Sequence, residues 1–370
     1  MATCNEIPKD VIIEILLMLP VKSLIRARVV CKNWYSIIIN PSFVTKHLNH
    51  HANSGRLFVN RYDKISHKYT FSLFPDQTLA GSPPVCQDVV VDMPYHLVAN
   101  LFNGILCLCD PSYRFALWNP ATREFRSLPE LSPNFLPDMV SGQETYGFGF
   151  DPITNDYKVV WIWNTWDPCK EINSPYEAAV YTLSTDSWRY LDHVALPYPI
   201  IDTPLSNTCI NRVYHWFAMD NDRHALILSF DMGNELFHEI SHITRYSKHA
   251  VLAAYNNSLA LINYDSFSTV DIWAMMEEGC WTKQSTLQLP DFIEGLLGFW
   301  TNGQIFMESE GGDSHVALYD LETREIKKFA SEIWAECLVY RESLVSIRGR
   351  DGFLEHDQLS DVDKVLNFCE

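Results

Sequence analysis

Along this chain of 370 residues the apolar positions change rhythm near residue 51. Before that point they recur every three or four residues; after it they alternate. In "IPKDVIIEILLMLP" the residues Val11, Ile12, Ile15, Leu16 and Leu19 fall at helical spacing. Pro8 and Asp10 mark the start of that helix. Proline lacks a donor that the first turn leaves unused, and a carboxylate meets the positive helix end. Pro20 ends the helix. A short turn, "VKSL", then leads into "IRARVVCKNWYSIII", where Leu24, Val29, Val30, Trp34 and Ile37 or Ile38 form a second apolar stripe. Asn40-Pro41 stops it, and "SFVTKHL" reads as a further short helix. Such a short segment builds little core of its own. It is apolar on more faces than it can bury, so it either caps the rest of the chain or inserts into another protein.

From residue 100 onward one unit recurs. A turn feeds a short apolar strand in "NGILCL", "NDYKVVWI", "NRVYHWF", "NNSLALI", "NGQIFM" and "RESLVSI". Aligned on Ile105, Lys158, Val213, Leu259, Ile305 and Leu344, the intervals are 53, 55, 46, 46 and 39. The first five are each followed by a pair of alternating strands around a polar turn, over 115–128, 179–191, 226–240, 269–287 and 316–329. The second strand of each pair carries an apolar anchor: Phe125, Trp188, Phe237, Trp281 or Ile326. Alternation makes strands and the polar turns make hairpins. Repeats of this length with several strands each predict a β-propeller, in which units too small to bury their own faces stack around an axis. Residues 56–74 read as a further hairpin that completes the ring with the C-terminal strand.

The opening string carries Pro8, Asp10, Ile15, Leu19-Pro20, Lys22-Ser23-Leu24, Arg26, Val30-Cys31-Lys32, Trp34, Pro41 and Phe43 at the spacing of the F-box, which it resembles. Ile7 stands where that family usually has Leu. The body lacks the Gly-Gly doublets of kelch repeats and the Trp-Asp ends of WD repeats. Through "LWNPATREFRSLP", "GFGFD", "NDYKVV" and "YTLSTDSWR" it resembles the F-box-associated domain of plant F-box proteins, a kelch-like fold. More narrowly, "LSTDSWRYLDHV", "YHWFA", "IWAMMEEG" and "YDLET" resemble S-locus F-box proteins, the pollen-side receptors for S-locus ribonucleases in self-incompatibility. The fold class that follows is a small all-α F-box at 1–50, a linking hairpin region at 51–102, an all-β propeller-like domain at 103–350 and an acidic tail at 351–370.

The resemblance implies binding to a Skp-type adaptor, and through it to the cullin and RING subunits of a ubiquitin ligase. Pro8, Ile15, Leu19, Pro20, Leu24, Val30, Cys31 and Trp34 are the implied set, facing the adaptor or sharing the F-box core. Sequence does not say which of them face outward. The cytosol, that of the pollen tube for an S-locus type, is the implied compartment, with the nucleus as an alternative.

Charge sharpens the expected partner. The formal net charge is −18, yet residues 1–51 hold six basic side chains against three acidic ones, which leaves −21 for the remainder. An acidic body argues against nucleic acid and anionic membranes and favours a basic protein substrate. Recognition is expected in the least repetitive connections. Their acidic residues are Asp138 and Glu144; Asp167, Glu171 and Glu177; Asp202; and Asp291 and Glu294.

Other chemistry is weakly supported. The ten cysteines form no CxxC pair, and no secretory segment or membrane span is visible, so the thiols are expected to be reduced. Gly147-x-Gly149 lacks the third glycine and the following helix that a phosphate loop needs. "HLNHH" has no carboxylate or thiol beside it and reads as a solvated helix end rather than a metal site. No cofactor, metal or catalytic residue is expected. The alternatives are a receptor for an unrelated plant protein, an adaptor without ubiquitin transfer, and a propeller hydrolase with a helical cap.

Overall fold

The computed structural model describes residues 7–51, 55–63, 68–74, 87–91, 97–110, 112–131, 140–191, 196, 200–201, 208–219, 225–240, 250–256, 258–265, 269–289, 293–301, 304–309, 315–328, 337–348 and 366–368. The N-terminal part forms four helices: α1 (Lys9–Leu17), α2 (Val21–Ala27), α3 (Lys32–Ile38) and α4 (Pro41–His50). Pro8 and Pro20 cap α1 and α2, and Asn40 caps α4 by accepting the Ser42 N–H at 2.9 Å. The expected long helix through "IRARVVCKNWYSIII" is instead two. "VKSL" belongs to α2, and the chain breaks at Arg28–Val30. Two adjacent β-branched residues are poor helix formers. Cys31, in an extended conformation, restarts the chain by accepting the Trp34 N–H on its sulfur at 3.5 Å.

The remainder forms six antiparallel sheets among the described residues. Blade 1 contains Arg56–Asp63, Lys68–Phe74 and Gln87–Val91, flanked by Cys337–Tyr340 and Leu366–Phe368 from the far end of the chain. Blade 2 is Leu97–Phe102, Ile105–Cys109, Phe115–Asn119 and Glu124–Ser127. Blade 3 is built on the long pair Val140–Asp151 and Asp156–Asp167, with Ile172–Asn173, Glu177–Thr182 and Ser187–Tyr190. Blade 4 centres on Val213–Met219, Ala225–Asp231 and Leu236–Ile240, with the short strands Ile200–Ile201 and Thr208–Ile210. Blade 5 runs from Val251 to Gln288 and blade 6 from Ile293 to Lys328. All five repeated hairpins read from the sequence are present, and the 56–74 hairpin closes the ring.

Large side chains bury the blade faces against each other. Phe58 and Phe71 of blade 1 meet Trp118 of blade 2. Phe115 of blade 2 lies 5.6 Å from Trp161 of blade 3, ring to ring. The Trp216 indole of blade 4 donates to the Tyr146 carbonyl of blade 3 at 3.1 Å. Aliphatic clusters join blades 4, 5 and 6. Cys107 and Cys109 point into the core on one side of their strand. Burial raises both thiols, Cys109 to about 12, so they are packing groups rather than nucleophiles.

One turn design recurs at the strand ends. Asn119, Asp151, Asp167, Asp231 and Asp320 each accept the N–H groups two and three residues on. The fourth residue on takes the left-handed conformation: Arg123, Asn155, Glu171, Glu235 and Arg324, with φ of 55–60°. These are side-chain-capped turns of the kind that Asx residues favour.

The sequence-predicted strand at 341–347 is not one. The ladder ends at Tyr340, and side chains of blade 2 hold the following backbone. Asn119 donates to the Ser343 and Val345 carbonyls, the Glu124 carboxylate accepts the Ile347 N–H, and Arg126 donates to the Ile347 carbonyl. Gly104, at φ +75°, makes room for this segment: a Cβ there would lie 2.3 Å from the Arg341 carbonyl oxygen. The segment drives Leu344 into the helical core among Leu16, Leu24, Ile38 and Phe43, where Ala121 also packs. Part of the expected acidic tail, Leu366–Phe368, is the outer strand of blade 1; residues 349–365 lie outside the described residues.

Candidate interaction surfaces

The helices hide one apolar face and display another. Leu16, Leu17, Val21, Leu24, Ile37, Ile38 and Phe43 form the core. Ile7, Val11, Ile15 and Met18 recur at helical spacing on the outer side of α1, and Val29 and Val30 stand exposed in the turn before α3. Tyr35 and Ile39, one turn apart, extend the exposed set along α3. Eight large apolar residues are thus exposed between residues 7 and 39, against six in the rest of the described chain. Val29 is 87% exposed and Met18 72%. Their concentration in one segment marks an unpartnered surface rather than scattered surface carbon.

This sorts the implied adaptor set. Pro8, Ile15, Pro20, Val30 and Cys31 are exposed, Leu19 and Trp34 are half-buried, and Leu24 is fully buried in the core. Sequence reasoning missed Val11, Met18, Val29, Tyr35 and Ile39 as outward residues. The i, i+4 and i+7 spacing from Val11 was legible, but with Ile12, Leu16 and Leu19 interleaved the helix is apolar all round.

"HLNHH" is not a solvated helix end. His47 is buried, and its Nε2 bonds the Leu19 carbonyl at 2.9 Å; His51 Nε2 bonds the Leu17 carbonyl at 3.0 Å. The two rings lie 4.5 Å apart and tie α4 to the open carbonyl end of α1. Burial lowers the His47 pKa below its ordinary value, and His51 and His50 lower it further against the Leu19 bond.

A second surface lies on blade 3. Glu144, Trp163 and Glu177 sit opposite one another on three adjacent strands, so their side chains share a sheet face. Trp163 meets the half-exposed Tyr190 edge to face at 5.9 Å. Burial raises the Tyr190 hydroxyl pKa, and Glu177 raises it further. Val140 and Ile172, both exposed, lie at the same end of the blade, where the Tyr113 hydroxyl donates to Ser141 Oγ at 3.1 Å. This aromatic and aliphatic part was not legible from charge alone.

Asp167 and Glu171 are nearby, but Asp167 is buried and occupied. Lys170 and the amides of Cys169 and Lys170 hold its carboxyl below the usual range. Glu171 is exposed in the left-handed position of the same turn. Glu294 is in the strand Ile293–Thr301. Asp138, Asp202 and Asp291 lie outside the described residues.

The two surfaces occupy opposite ends of the ring. Asn103, in the turn beside Arg341, donates to the Tyr157 hydroxyl at 3.2 Å, which places the Asp151–Asp156 turn at the helical end. From Asp156 the strand runs 12 residues to Asp167, roughly 35 Å at strand rise. Beside the Asp151–Asp156 turn, at the helical end, a buried ion network joins blades 3 and 4. Lys158 Nζ lies 2.8 Å from Asp151 Oδ2, Glu235 Oε1 and the Met232 carbonyl, and Arg189 also pairs with Glu235. Desolvation raises the Asp151 carboxyl, but the Lys158 and Thr154 bonds outweigh it and leave its pKa lowered. Among the described residues no group of three or more His, Cys, Asp or Glu could hold a metal ion, and no helix is long and apolar enough to cross a membrane.

The chain thus joins a helical segment with an apolar outer face to a propeller. Family comparison places it: residues 5–46 match the F-box domain and residues 56–343 match the F-box associated beta propeller domain. The chain belongs to the F-box proteins that carry this propeller. It is similar to F-box protein CPR1 of Arabidopsis thaliana, at 28% identity over 78% of this chain and 74% of the relative. It is similar to F-box protein At1g30790 of the same plant, at 29% identity over 83% and 80%. F-box protein At5g18160 is 30% identical over 74% of this chain and 68% of the relative.

Proposed function

We propose that the chain is the substrate-recognition subunit of an SCF-type cullin–RING ubiquitin ligase. The F-box docks a Skp-type adaptor and the propeller holds a protein substrate. The observation that carries this reading is the exposed apolar set Val11, Ile15, Met18, Val29 and Val30 on a segment whose other face is a packed core. Burying such side chains against a partner contributes about 1.5–3 kcal/mol each before the cost of association. The receptor makes and breaks no bond; it holds substrate near the ligase and raises the effective concentration of lysines.

The test is co-purification with a Skp-type adaptor, comparing wild type with an Ile15→Asp, Val30→Glu variant. Both positions are exposed, so the variant keeps its melting temperature while losing the adaptor. Retention of the adaptor by a folded variant refutes the assignment of this face.

For the substrate, the blade 3 surface supports a basic protein. Glu177, exposed beside the exposed Tyr190, offers a carboxylate next to an aromatic face, which suits arginine and lysine. An S-locus ribonuclease is the particular substrate that the sequence resemblance suggests, and the −18 charge fits it. A Glu177→Lys variant then loses a basic ribonuclease while keeping the adaptor. Equal capture by both chains moves substrate recognition off blade 3.

A further inference from the structure

A cleft of about 640 Å³ separates α2 from blades 1 and 2, within the usual size range of small-molecule sites. Four cations line it: Lys22 and Arg26 from α2, Arg56 from blade 1 and Arg123 from the blade 2 hairpin. Among the described residues one carboxylate lines it, Glu342, which pairs with Arg56 at 2.9 Å. In a chain of net charge −18 this is a local reversal of sign. We propose that the cleft binds a small molecule carrying two or more phosphate groups.

The geometry favours that ligand class. Lys22 and Arg26 stand one helical turn apart, an arrangement in which like charges repel unless an anion lies between them. Arg123 is held on a preformed wall. Its hairpin is capped by Asn119 Oδ1, which accepts the Ala121 N–H at 3.1 Å. The same N–H donates to the buried Tyr340 hydroxyl at 3.1 Å, and Asn119 Nδ2 anchors the whole turn to the Ser343 and Val345 carbonyls. Thr122 Oγ1, also on this wall, is buried with no hydrogen-bond partner, and a hydroxyl there can donate to a phosphate oxygen. Ile25, Leu73 and Pro120 give the cleft apolar walls, which strengthens the charge interactions inside it. Arginine forks match phosphate oxygens in pairs, and lysine adds a point charge.

Such a ligand touches the F-box and two blades at once. It therefore fixes the helices relative to the propeller and stabilises the folded chain by linkage. This inference does not depend on the adaptor or the substrate.

The experiment is calorimetric titration of the full chain with inorganic triphosphate and with ATP, beside melting curves at each concentration. One-to-one binding of either, weakening with salt and raising the melting temperature, is the expected result. Tighter binding of ATP assigns the apolar walls to its base; equal binding assigns the site to the phosphates. Both support the proposal. Lys22→Gln and Arg123→Gly each weaken binding about tenfold. Arg123→Gly keeps the fold, because glycine takes φ near +57° without strain. The proposal is overturned if neither phosphate compound binds, if both variants bind like wild type, or if an acidic decapeptide competes at equal strength. The last outcome would make the cleft a dock for an acidic protein segment.

Discussion

Leu344→Ala tests whether the F-box is finished by the propeller or merely tethered to it. Leu344 is 3% exposed and belongs to the helical core with Leu16, Leu24, Ile38 and Phe43, although it lies some 300 residues away in sequence. Truncation removes the buried isopropyl end of the side chain from a site whose backbone cannot follow the collapse. Asn119 and the Ser343 hydroxyl pin it on both sides. Buried Leu→Ala changes cost about 2–5 kcal/mol, and a pinned backbone places this one in the middle of that range or above. Hydrogen exchange is the assay, because it reads α1–α4 separately from blades 3–5. A loss of 3 kcal/mol from the helical unit lowers protection in α1 and α4 by about a hundredfold. Protection in the blade 3 core strands changes little. If the helices exchange as in wild type, the F-box is an independent unit and Leu344 is incidental. If protection falls equally everywhere, helices and propeller open as one, and the separate assignment of Leu344 to the helical core is wrong.

Two further outcomes follow from buried charge. Lys158→Met leaves Asp151 and Glu235 without their shared cation. Breaking a buried pair in this way costs about 3–5 kcal/mol, read as a lower urea midpoint, and adding Asp151→Asn recovers part of it. A change below 1 kcal/mol would mean that water replaces the ammonium. For His47, burial lowers the folded pKa below the ordinary 6.5. The unfolded state then binds more protons as pH falls below about 6.5, so the F-box is fully stable above that value and loses stability below it. Protection factors in α1 and α4, taken relative to the intrinsic exchange rate at each pH, accordingly fall between pH 7.5 and 5.5, and His47→Gln flattens that dependence. An unchanged slope in the variant assigns the effect to other groups.

Much of the fold was legible because it is written in local periodicity. The hairpins around Phe125, Trp188, Phe237, Trp281 and Ile326 alternate with period two, and the polar turns before Phe125, Phe237 and Ile326 carry the Asx residues, Asn119, Asp231 and Asp320, that cap them. The misread at 341–347 is instructive. "RESLVSI" alternates like a strand, but its backbone partners are Asn119, Glu124 and Arg126, more than 200 residues earlier. Asp167 shows the same limit for charge: as a letter it equals Glu177, but its oxygens are taken by its own turn.

By itself the sequence determined a helical hook followed by repeated units of several strands, because helix and strand periods and turn residues act over a few neighbours. The tertiary structure decided which apolar residues of that hook remain outside. A helix that is apolar all round can bury either face, and only the packing of α4, Leu344 and Ala121 selects Leu16 and Leu24 for the core and leaves Ile15, Met18 and Val30 for a partner. The same packing brought Lys22, Arg26, Arg56 and Arg123 to one cleft, since closing the ring joins segments whose charges no local pattern relates.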